Sequence, residues 1–165
     1  IVRGDVNELI DEYLSKTNMA VFDKRNNVWD PRGCVYEELD ALLEIGERRG
    51  VHKDDPEVMR AQVGRYRAEG YPADNGLVIS MILFRRHNEP DVVQAMETWW
   101  AEIGLGSKRD QLSFNYAAWK TGLDFAWLPG DSRDNPYFRY VFHKKHRKGF
   151  VHRALSKLAS YVSNR

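Results

Sequence analysis

LVISMILF, Leu77 to Phe84, is a strand-length run with β-branched side chains at Val78, Ile79 and Ile82 and no polar alternation. A strand that water reaches on one face alternates polar and apolar residues, whereas one covered on both faces does not. The stretch therefore predicts a central strand over 77–84 flanked by helices, and with it an α/β fold. Its surroundings agree. Asn88, Glu89 and Pro90 open a helix in which Val92, Val93, Met96, Trp99, Trp100 and Ile103 make a wide apolar stripe. Upstream, Asp55 and Pro56 read as N-cap and first helical residue, and Gly70 with Pro72 ends that segment.

Working outward, CVYEELDALLEIGERRG is a helix stopped at Gly50, and MAVF, Met19 to Phe22, is a short buried strand preceded by a helix that Gly4 and Asp5 open. Between them lies the loop KRNNVWDPRG, whose Trp29 is either anchored to the core or involved in binding. FAWLPG reads as another short strand, Tyr137 to Phe142 alternates weakly like an edge strand, and VHRALSKLASYV is a last amphipathic helix. No repeat, linker or low-complexity tract divides the chain, so residues 1–165 read as a single α/β domain. The opening IVRGDV reads as the tail of a strand running into a helix, the expectation for a piece of a longer protein.

Composition narrows the function classes. Lys+Arg 25 against Asp+Glu 24 leaves no uniform field to recruit nucleic acid or a membrane surface. The distribution is uneven, because no acid follows Asp134 while Arg139, Lys144, Lys145, Arg147, Lys148 and Arg153 do. One cysteine, Cys34, excludes an intrachain disulfide. No apolar run of twenty residues offers a transmembrane segment.

Four groupings carry chemistry, each beside a plainer reading. In PADNG, Asn75 and Gly76 precede the strand; Gly lets a ligand approach the backbone and Asn both donates and accepts, yet Asn-Gly is also the commonest turn dipeptide. In GSKRDQLSFNY, Ser107 and Asp110 have capping-box spacing before a helix from Asp110 to Lys120, which accounts for them but leaves Arg109 and Gln111 unexplained. His143 and His146 stand three apart among lysines, either as part of a solvated basic tail or as a metal-and-phosphate site in which imidazole ligates the ion and Lys144 and Lys145 meet phosphate oxygens. In RGCVYEE the helix dipole alone favours Glu37 and Glu38. The Trp99–Trp100 pair reads as core rather than as a sugar platform.

The order RGCVYEE, QVGRYRAEGYP, NGLVISMILFRRHN, METWWAEI, SKRDQLSFNYAAWKTG and DNPYFRYVFHKKH resembles the glycosyltransferase-like family of the plant seed mucilage and turgor-defect proteins and their bacterial relatives. The resemblance implies a type A glycosyltransferase fold, of which this chain is the C-terminal, acceptor-side portion. The DxD-like acids of the nucleotide-binding half are then expected before Ile1. It implies a metal-dependent transfer of a hexose-type sugar from a nucleotide-diphosphate donor to a saccharide or glycan hydroxyl, with Mn2+ or Mg2+ on the diphosphate. Asn75 and Gly76 match its sugar pocket, Asp110 and Gln111 its sugar or acceptor contacts, and His143 its metal shell. Arg109, Lys144 and Lys145 would neutralise the leaving diphosphate, and Asp110 would serve as base in an inverting reaction. Location follows the source: cytoplasmic or peripheral at the inner membrane face in a bacterium, the Golgi lumen in a plant. Two other classes remain open, a non-catalytic module binding polyanions or glycans through the basic block, and a metal-dependent hydrolase using His143 and His146.

Overall fold

The computed structural model describes residues 1–141. Its described elements are α1 (Asn7–Tyr13), β1 (Met19–Asp23), α2 (Val35–Arg49), α3 (Pro56–Ala68), β2 (Val78–Arg85), α4 (Pro90–Leu105), α5 (Phe114–Thr121) and β3 (Ala126–Leu128), with 3-10 turns at Lys24–Asn26 and Asp110–Leu112. The fold is mixed α/β. Its small sheet has the order β2-β1-β3, with β1 antiparallel to β2 and parallel to β3.

The strand in the middle is therefore MAVFD, not LVISMILF. All five residues of β1 are buried. Met19 and Val21 pack on one face with Val92 and Ala95 of α4 and Phe114 of α5. Ala20 and Phe22 pack on the other with Leu9, Leu14 and Phe138. Among the described residues β2 lies at a sheet edge, which corrects the expectation of a central strand at 77–84. The reason is that an apolar pattern reports which faces are covered, not which lateral neighbours exist. Both faces of β2 do meet apolar clusters, through Val78 and Leu83 on one side and Ile79, Ile82 and Phe84 on the other. The pairing jumps from Val21↔Leu83 to Phe22↔Ile79, so Ser80, Met81 and Ile82 bulge out of the ladder and Met81 is half exposed.

The end of α2 and the start of α3 follow their sequence signals. Gly50 takes the left-handed conformation (φ 66°) and closes α2, while the Asp55 carboxylate accepts from Glu57 N at 2.8 Å ahead of Pro56 in α3. α2 and α3 pack against α5 around Tyr66 and Tyr116, whose rings stack 3.7 Å apart. The buried Glu102 of α4 accepts from the Tyr66 hydroxyl at 2.7 Å and pairs with Arg65, so this acid near the end of α4 is satisfied inside the core.

The Trp pair on α4 divides. Trp99 packs edge-on to Phe114 and donates to the Asp110 carbonyl at 3.0 Å, as expected of core, whereas Trp100 is 72% exposed. Residues 137–141 form isolated bridges, Val2↔Phe138 and Asp134↔Arg139, in place of the expected strand. His143, Lys144, Lys145 and His146 lie outside the described residues, as does the expected last helix.

Candidate functional site

β1 and β3 are parallel and finish at the same end of the sheet, and antiparallel β2 starts there, with Val78 opposite Asp23. In open α/β sheets the loops beyond strand C-termini form the ligand crevice. The structure gathers at this end the five sequence-predicted site residues that it describes. Asn75 and Gly76 lead into β2. Gln111 donates through Nε2 to the Val78 carbonyl, and Asn115, one turn along, accepts from Val78 N, both at 2.9 Å. The edge strand's outward backbone groups at Val78 are thus met by two side chains.

Asp110 and Ser107 do not form the expected capping box. Asp110 Oδ2 accepts from the Ser80 hydroxyl at 2.5 Å, and its Oδ1 from Gln111 N at 3.0 Å. Ser107 N donates instead to Gln62 Oε1, while the Ser107 hydroxyl donates to Asp54 and accepts from Arg109 N. The cause is the 3-10 turn at 110–112, which breaks the expected helix and aims Asp110 at the β2 bulge. Arg109 has its Nε shielded from solvent with no hydrogen-bond partner among the described residues.

Sequence reasoning missed a buried ion network at the same end. Lys24, just past β1, is 5% exposed and lies 3.6 Å from both Asp30 Oδ2 and Glu38 Oε2. Arg32 Nε donates to Glu38 at 2.6 Å, and its two terminal nitrogens engage Asp30. Glu38 is 1% exposed, so the helix dipole is a small part of its role. Burial works to raise the Asp30 carboxyl, but Arg32 and Lys24 outweigh it and hold the group below its ordinary value. Burial and the nearby Arg109 push the Lys53 ammonium down. The signal available in the sequence was Arg32 six residues before Glu38 across a helix start.

A groove of about 420 Å³ opens beside Asn75, lined by Asn115, Trp119, Asp124, Phe125 and Trp127 among others. Gly76 (φ 78°) is needed here for packing, since a Cβ would stand 2.5 Å from Trp127 Cζ2. Among the described residues Cys34, Glu37 and Asp74 group within metal-ligand range of one another. A thiol suits Mn2+ or Mg2+ on a diphosphate poorly, and Glu37 already accepts from Gly33 N at 2.6 Å. These three residues do not fit the expected ion.

No protein-family model, curated protein or solved structure matches this chain. No described helix is long and apolar enough to cross a membrane.

Proposed function

We propose that this chain is the acceptor side of a type A glycosyltransferase, moving a hexose-type sugar from a nucleotide-diphosphate donor to a hydroxyl of a saccharide or glycan. The observation that supports this reading is the convergence of Asn75, Asp110 and Gln111 on the first half of β2, beside the C-terminal ends of two parallel strands. Asp110 is oriented by Ser80 and by the turn, so its carboxylate is a positioned acceptor for the proton of an attacking hydroxyl. Arg109 supplies a cation one residue away, the kind of group that steadies charge building on a departing phosphate. A divalent ion on the donor, with His143, Lys144 and Lys145, belongs to this proposal as a property of the complete enzyme.

The test is sugar transfer by the complete protein, offered UDP-glucose, UDP-galactose and GDP-mannose with oligosaccharide acceptors. In Asp110→Asn the amide oxygen can keep accepting from Gln111 N while its NH2 donates to the Ser80 hydroxyl, so the variant is expected to melt close to the parent, while transfer falls about a hundredfold or more. Undiminished transfer by this variant would refute the assignment of Asp110. Salt-sensitive polyanion binding with no response to any nucleotide sugar would replace the enzyme by a binding module.

A further inference from the structure

The groove between α5 and β3 combines three properties that rarely coincide by packing alone. Its aromatic walls are preset. Trp119, 39% exposed, stands edge-on to Tyr71 at 5.5 Å, and Trp127 stands edge-on to Phe125 at 5.0 Å while resting on Gly76. Its polar groups are available: Asn75 Nδ2 donates to the Tyr71 hydroxyl at 3.3 Å, and among the described residues the Asn75 side-chain oxygen Oδ1 has no hydrogen-bond partner and Asp124 makes no hydrogen bond or ion pair. Its volume, about 420 Å³, falls within the range of small-molecule sites.

We propose that this groove binds an uncharged sugar ring. A pyranose has one face rich in C–H groups and a rim of hydroxyls. Indole faces take the first, and amide and carboxylate oxygens accept from the second. Among the described residues lining the groove Asp124 is the one charged residue, and Arg25, whose guanidinium lies 6.0 Å from the Trp127 ring centroid, is already paired with Asp23, so an acidic sugar meets an unpaired carboxylate and is repelled rather than recruited. Fixed rings lose little freedom on binding, which favours a shallow site. The inference deepens the proposed function and rests on it in one respect, that the ring belongs to the acceptor.

Binding is read without any donor, from the indole N–H signals of the five tryptophans in the 15N-labelled chain. The probes are cellotetraose, β-1,4-galactotetraose, trigalacturonate and choline, the last because an aromatic wall beside a carboxylate also suits a quaternary ammonium. A neutral tetrasaccharide is expected to shift Trp119 and Trp127 saturably and to leave Trp100 unmoved. Gly122 ends α5 at φ 71° with nothing within 4 Å of a Cβ, so Gly122→Asn obstructs the groove in a conformation that Asn tolerates. It should weaken binding at least tenfold with an unchanged melting temperature, as Trp119→Ala should also weaken it, whereas Trp100→Ala should not. The proposal is overturned if neither neutral tetrasaccharide binds, if trigalacturonate or choline binds more tightly, if shifts are confined to Trp29 or Trp100, or if Gly122→Asn binds as well as the parent. Binding without transfer in the complete protein counts against the proposed function alone, and transfer without this binding counts against the groove alone.

Discussion

Replacing Glu38 by Gln should destabilise the protein more than any change at its surface. The substitution keeps shape and removes one charge from a place where the Glu38, Lys24 and Arg32 side chains are 1%, 7% and 11% exposed. Breaking a buried pair by removing one partner typically costs about 3–5 kcal/mol, because the other charge stays desolvated. Asp30 remains within reach of both cations, and its 42% exposure lets water share the load, so we place the loss at the lower end, about 3 kcal/mol. For a chain of this size that corresponds to roughly 6–12 °C in melting temperature. Urea unfolding followed by far-UV circular dichroism measures it, and adding Lys24→Met to Glu38→Gln should recover part of the loss by removing one of the uncompensated cations. A loss below about 1 kcal/mol would refute the reasoning, since it would mean that the cations find water or new partners without cost.

Two further outcomes follow from other regions. The Tyr116 hydroxyl, with Lys120 and Arg65, holds the Glu69 carboxyl down at about 2 against an ordinary 4.5, so its stabilising contribution is present above pH 4.5 and is lost as pH falls toward 2. Glu69→Gln should flatten that part of the stability–pH curve, and a parallel curve would count against the linkage. Gly76→Ala places a Cβ against Trp127 in a left-handed backbone and should cost roughly 2–4 kcal/mol, whereas Gly122→Ala, with open space, should cost only the roughly 1–2 kcal/mol of the left-handed backbone; equal losses in chemical denaturation would contradict the packing role.

How much of this was legible depends on the range of the interaction. Asp55, Pro56 and Gly50 act within a few residues, and the helix ends they mark are where the sequence places them. The β2 strand was legible as a strand, but its edge position depends on β1 and β3, which a pattern within Leu77–Phe84 does not encode. At the candidate site, Asn75, Gly76, Arg109, Asp110 and Gln111 are the candidates that motif and resemblance single out, but the sequence does not show which residues they bond. Ser80 lies thirty residues from Asp110, and its side chain reaches it from a bulge that no local signal announces. Lys24 and Glu38 were hidden for the opposite reason, since each has an ordinary surface explanation and only the packed loop between them removes the water.

The paired side chains of Gln111 and Asn115 on Val78 have a bearing on how copies of this protein meet. An edge strand is a template on which another chain can extend the sheet, provided several consecutive backbone groups face outward. On β2 the first such pair is already occupied by the two amides, and the next residues, Ser80 to Ile82, leave the ladder in a bulge. No uninterrupted row is left for an incoming strand over the first half of β2, so sheet-to-sheet polymerisation through that half is blocked at the level of the monomer's own side chains.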